Sequence, residues 1–380
     1  RGRAAQGLRG LRRHGDRALR ASGAFRVAAL ALLAALSLLL AASPEPVEHF
    51  RWIVFDAWQR YMPRERVADQ VVVVTIDERA LAAEGQWPWP RDRMADLVSR
   101  IAGARPRVIG MDIFFPEADR YSPAVMAARF EGRAPDIAAR LKTMPSNDAL
   151  LGAALATVPS VLGVAALESS DARFAGPPRS PPVRFLEGAG DGLRAYPGHL
   201  RNVPEIDAGA AGHGLYSIDL EGGVARRLQM IGRFDAAAVP TLAIEMMRIA
   251  LDAPLTVAPS FGGAIELRFG DYAVPAQPDG RAFIRYGHSD PSRFVSAAGI
   301  LDGTFDVTQL EGKLVLLGFT GLGLADLVAT PLGETVFGVE NHAQAAEAIL
   351  DSDETKQLLT PHFVRLVYVK RASKTKVRIR

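Results

Sequence analysis

Hydrophobic and polar positions follow two rhythms along this chain. VVVVTID (71–77) is a β-branched run ending in an acid, the pattern of a strand buried on both faces. In RDRMADLVSRIAG (91–103), Met94, Leu97, Val98 and Ile101 fall at the spacing of an amphipathic helix, and Gly103 is its stop. RVIGMDIFF (107–115) is a second buried strand, so the three form a β–α–β unit, which strand and helix chirality makes a right-handed parallel crossover. SNDALLGAALAT (146–157) opens on good capping residues and continues as a helix, and SVLGVAAL (160–167) is a third strand. Residues 168–200 are rich in Pro, Gly and Arg without periodicity, which predicts a long loop or insertion. Residues 214–232 read as two strands around a Glu-Gly-Gly turn. A helix near 239–251 and strands near 264–269 and 282–286 follow. KLVLLGF (313–319) and the helix GVENHAQAAEAIL (338–350) close the pattern. Strand–helix alternation around a β-rich middle gives the α/β class: one mainly parallel sheet, flanking helices and a β-rich middle insertion.

Ahead of these elements stands one long apolar stretch. Val27 to Ala42 has only Ser37 polar, and extending it back to Ala24 approaches the roughly 20 residues that a bilayer core requires. Arg26 snorkels, since its long stem lets the guanidinium leave the hydrocarbon. An arginine-rich flank precedes the stretch and Glu45 and Glu48 follow it, which by the positive-inside rule places the N-terminus in the cytoplasm. The division expected is a cytoplasmic basic segment (1–23), a transmembrane helix (24–43), an extracytoplasmic domain (44–361) and a basic tail (362–380). This puts a single-pass protein in the inner (cytoplasmic) membrane, its main domain periplasmic or extracellular. A cleaved signal peptide is the alternative, because the small residues before Pro44 would permit cleavage. Residues 44–68, with Trp52, Phe55, Trp58 and Tyr61, read as a helical connector. The chain opens on Arg1, so a longer gene product is expected.

Composition changes the picture in one respect. The net charge of +3 is an average over unlike parts. Residues 1–26 hold eight Arg and one Asp, and residues 362–380 hold seven Lys or Arg and no acid, so residues 27–361 are acidic. A nucleic-acid site would put its basic, aromatic-interleaved patch on the folded part, and no such patch is present. No nucleic-acid partner is expected. The chain has no cysteine, which excludes disulfides, thiolate metal sites and thiol catalysis.

Candidate chemistry is sparse. Ligands of open parallel sheets bind outside the carboxyl ends of the strands. Asp77 and Asp112 lie at such ends and Asp326 lies in the loop after the last strand, so three carboxylates approach one sheet edge. They make either a polar or cation pocket or, more often at such junctions, loop caps that accept backbone hydrogen bonds. GQWPWPR (85–91) is read as rigid and extended, with Trp87 and Trp89 projecting in opposite directions and Arg91 opening the next helix. It is a packing element before it is a ligand-stacking one. GFTGLGLAD (318–326) follows a strand but lacks the Lys-Ser/Thr ending of a phosphate loop. The seven histidines show no metal-ligand spacing, and there is no G-x-S-x-G elbow. No cofactor, metal site or catalytic set is expected.

The ordered segments VVVVTIDERAL, GQWPWPRDRMADLV, VIGMDIFFPEAD, NDALLGAAL, DLEGGVARR and GKLVLLGFTGLGLADLVATPLGETVFGVENHAQAAEAIL resemble the type-2 CHASE domain, over about residues 48–355. That family comprises extracellular sensory domains of bacterial adenylate or guanylate cyclases, histidine kinases and serine/threonine kinases. The resemblance implies a sensor of a small molecule or a physical stimulus, without its own catalysis. It also implies homodimerisation, membrane helices and a cytoplasmic output domain. Asp77, Trp87, Pro88, Trp89, Pro90, Arg91, Asp112, Asp326, Thr330 and Pro331 occupy the family's recurrent positions. From these, Asp77, Trp87, Trp89, Arg91, Asp112, Asp326 and Thr330 are the ligand-binding candidates. Apolar spans after about residue 360 and any cyclase or kinase motif are missing from the pattern. The rival readings are a membrane-tethered metal-dependent hydrolase built on the three aspartates, and an envelope protein that docks a partner through the 168–200 loop.

Overall fold

The computed structural model describes residues 25–34, 45–66, 69–169, 182–216, 218, 220–235 and 237–351. Contacts divide the chain into residues 1–57 and 58–380. In the first part residues 25–34 are helical, and the helix Glu45–Tyr61 begins there. Half of the transmembrane stretch expected at 24–43 and all of the 362–380 tail lie outside the described residues. Among the described residues no helix is long and apolar enough to cross a membrane.

The second part is built on a seven-stranded sheet. Its strands are β1 (Val71–Ile76), β2 (Val108–Met111), β3 (Ser160–Leu167), β4 (Gly198–Leu200), β5 (Gly212–Leu215), β6 (Phe294–Ser296) and β7 (Leu314–Phe319). The order runs β6-β1-β7-β2-β3, and β3 pairs with both β4 and β5. Every pair is parallel except β3–β4. Alternate side chains of β1 enter two separate cores. Val72, Val74 and Ile76 pack under helices α1 (Arg91–Gly103) and α2 (Asn147–Leu155). Val71 and Val73 face the core shared with α3 (Leu242–Ala250) and α4 (Gly338–Leu350). The unbroken valine run of β1 follows from this, because a strand covered on both faces has no polar side. Helix α2 is capped by Ser146, whose side chain accepts from the Ala149 amide at 3.1 Å.

The β-rich middle is present but is wired differently from the reading of the sequence. The Glu221–Val224 turn forms, with Gly222 and Gly223 at φ 59° and 83°, a region glycine enters without a Cβ penalty. Its flanks do not pair with each other. Gly212–Leu215 runs parallel to β3, while Arg227–Gln229 pairs antiparallel with Arg281–Phe283. The 168–200 segment is less irregular than expected: it contains Arg184–Phe185, Ala195–Tyr196 and β4, each joined to a strand distant in sequence. Residues 170–181 lie outside the described residues. The second buried strand stops at Met111, which leaves Asp112 just past its end.

Helix α3 lies directly on β5. A Cβ placed on Gly214 would sit 2.4 Å from Leu242 Cα and 2.8 Å from Leu242 N, so backbone must move to admit it. Gly214→Ala is expected to cost about 1–3 kcal/mol, the usual penalty of an overpacked core. Equilibrium urea unfolding measures this, and an unchanged midpoint would mean that strand and helix are further apart.

Candidate functional site

Three parallel strands deliver side chains to one place. Asp112 follows β2, Tyr216 follows β5, and Phe319 ends β7. Together with Trp87, Asp326 and His342 they line a cavity of about 600 Å³ outside the carboxyl ends of the sheet. That position is where open parallel sheets bind their ligands, and the volume suits a small molecule. The walls are aromatic: Trp87 meets Phe319 edge-on at 4.7 Å between ring centroids, and Phe114 lies 5.5 Å from Tyr216.

The electrostatics are one-sided. Among the described residues that line the cavity there is no Arg or Lys. Burial, and then the neighbouring Asp326 carboxylate, hold Asp112 well above the usual carboxylate range. Burial also raises the Tyr216 phenol, with Asp112 and Asp326 adding to it. His342 is 1% exposed and its Nε2 lies 3.1 Å from the Tyr216 carbonyl oxygen. A carbonyl only accepts, so Nε2 carries the proton and Nδ1 is a bare acceptor. Nδ1 has no hydrogen-bond partner. Burial lowers the imidazole to about 4, so it is neutral at pH 7.

The sequence candidates separate cleanly. Trp87, Asp112 and Asp326 share the cavity. Asp77 caps the helix Glu78–Glu84, accepting from the Ala80 amide at 2.9 Å and from the Ser296 hydroxyl at 2.8 Å. Arg91 lies across the Phe115 ring at 4.2 Å, donates to the Trp89 carbonyl, and borders a separate hollow of about 150 Å³. Thr330 closes the turn between Leu327–Ala329 and Thr335–Phe337 by donating to the Glu334 carbonyl. The WPWP stretch is bent, not extended: the Trp87–Pro88 peptide is cis and the two indoles lie 6.1 Å apart instead of diverging. Trp89 is part of the core, while Trp87 lines the cavity.

The glycine-rich loop is not a phosphate cradle. Its Thr320 and Gly321 amides donate to the Ile76 carbonyl, and the Leu322 amide donates to the Glu78 carboxylate. A metal reading of the three aspartates also lacks support. Asp77 is committed elsewhere, and among the described residues no three His, Cys, Asp or Glu converge closely enough to hold an ion.

Tyr216 and His342 were missed from the sequence. The signal for His342 was available: α4 carries Glu340, Asn341, His342, Gln344 and Glu347 among alanines, and all are buried. Buried polar groups need partners. The far side of α4 meets a dense ionic cluster. Arg293 donates to Glu340 at 2.5 Å and to both oxygens of Glu347 at 3.0 and 2.9 Å. Arg64 reaches Glu347, Gln344 and Asp351, and Arg66 reaches Glu347 and Asp290.

The model of the CHASE2 domain family matches residues 28–368. The chain belongs to this family. No curated protein and no solved structure matched it. CHASE2 domains are sensory domains of signalling receptors and are not themselves catalytic.

Proposed function

We propose that this CHASE2 domain senses a small molecule in the cavity around Asp112 and relays its occupancy through α4. One observation carries the reading. A single helix bears Val339 and His342 in the cavity wall, and also Glu340, Gln344 and Glu347 in the cluster that holds Arg64 and Arg66. Arg64 and Arg66 lie just after the helix Glu45–Tyr61, and Asp351 just after α4, so an ion pair between Arg64 and Asp351 ties together the segments that follow the two helices. A ligand that favours one seating of α4 would change that tie, provided it binds the two seatings with different affinity.

In this proposal residues 24–43 anchor the protein in the inner membrane, the domain lies outside it, and the output is a cyclase or kinase working as a homodimer. The apolar stretch, its arginine-rich flank and the family's known settings support this. Hydrogen exchange of the full chain in detergent micelles tests the relay. A ligand that raises the melting temperature saturably is expected to slow exchange around 338–351 and 58–66 together. Protection confined to the cavity wall would overturn the relay, and no saturable stabilisation across a broad metabolite panel would overturn sensing at this cavity.

A further inference from the structure

The polar lining of the cavity accepts far more than it donates. Among the described residues nothing donates a hydrogen bond to the Asp112 or Asp326 carboxylate, and no lining residue carries a positive charge. His342 also lines the cavity, and its buried Nδ1 has no partner. The aromatic rings of Trp87, Phe114, Tyr216 and Phe319 complete the walls.

We infer that the cavity takes a small organic cation, a protonated amine on an apolar or aromatic body. This rests on the reading of the cavity as the sensing site, and it names the chemistry of what is sensed. An ammonium supplies donors to carboxylates that have none, and ring faces attract a cation through their quadrupole. An anion would meet two carboxylates without a compensating Arg or Lys. A bare metal ion would need a convergent ligand set, and among the described residues none is present. A neutral ligand would gain no charge-assisted hydrogen bond from either carboxylate.

The same geometry makes binding pH-dependent. The groups facing Asp112 are Asp326 from the glycine-rich loop, Tyr216 after β5 and His342 on α4. His342, lowered to about 4 by burial, stays neutral above that pH, and the raised Tyr216 phenol stays protonated. Asp112, raised by burial and by Asp326, is a group whose protonation opposes the cation. Its free-state pKa is raised, so below that value the empty cavity holds a proton that an incoming cation must displace. Affinity for the amine should climb as pH rises through the Asp112 range and then level off.

Calorimetry on the full chain in detergent micelles tests this with phenethylamine, 2-phenylethanol and phenylacetate, one body carrying a positive, neutral or negative group. The amine is expected to bind at least about tenfold tighter than the alcohol, a charge-assisted hydrogen bond being worth that factor. Phenylacetate is expected not to bind. Asp326→Asn, a change at an exposed position, and Asp112→Asn should each weaken the amine about tenfold or more. Equal binding of amine and alcohol, tighter binding of the acid, or no binding of the amine would overturn the cation assignment. If the alcohol or the acid binds and Trp87→Ala weakens it, the cavity stands as the sensing site and only the ligand class falls. If the amine binds but Asp112→Asn, Asp326→Asn and Trp87→Ala all leave its affinity unchanged, the cavity reading falls with it.

Discussion

Arg293→Met is expected to destabilise the domain by about 3–5 kcal/mol, the cost of breaking a buried ion pair by removing one partner. At about 2–4 °C per kcal/mol this is a fall of roughly 6 °C or more in melting temperature. Arg293 is completely buried, and its guanidinium is shared between Glu340 and Glu347, which are buried as well. Methionine fills much of the volume but leaves Glu340 with no cation, since Arg293 is its one ion-pair partner among the described residues. Glu347 keeps Arg64 and Arg66. Burial holds Glu340 above the ordinary carboxylate range even beside Arg293. Without that cation it rises further, and the folded variant takes up a proton that the unfolded chain does not. The penalty is then smaller at about pH 5 than at about pH 8, because stability falls with pH where the folded state binds more protons. Adding Glu340→Gln should recover part of the loss. A deficit within about 1 kcal/mol, typical of an exposed pair, would show that the cluster is solvated and would remove it from the proposed relay.

The two tryptophans of the GQWPWPR stretch are expected to part company. Trp89 is 1% exposed, and its indole N–H donates to the Gly85 carbonyl at 2.8 Å. Trp89→Ala leaves a large void and an unpaired carbonyl, and the expected cost is about 3–5 kcal/mol. Trp87 is only partly buried, with the cavity on one side. Its replacement by Ala removes an edge contact to Phe319 and enlarges a space already open, so the expected cost is no more than about half as large. Urea unfolding of both variants decides the matter. Equal losses would mean that both rings are core and that Trp87 is no wall of a binding site.

Local chemistry determined much of this. Helices 91–103 and 338–350 and the strands at 71–76 and 160–167 follow from periodicity and β-branching, which act over a few residues. Asp112 and Asp326 were legible as candidates because each sits at or beyond a strand end, and the ordered segments pointed to the family that the match over residues 28–368 bears out. Asp77 looked equivalent in the sequence. Only the tertiary structure shows its Oδ1 accepting from both the Ala80 amide and the Ser296 hydroxyl. The pairing of Gly212–Leu215 with β3, the separate placements of Trp87 and Trp89, and the meeting of Tyr216 and His342 with Asp112 were likewise decided there. Strand partners and cavity walls are long-range choices, set by which surfaces exclude water together. A short stretch of sequence states what a segment can hide, while the assembled sheet decides what it is hidden against.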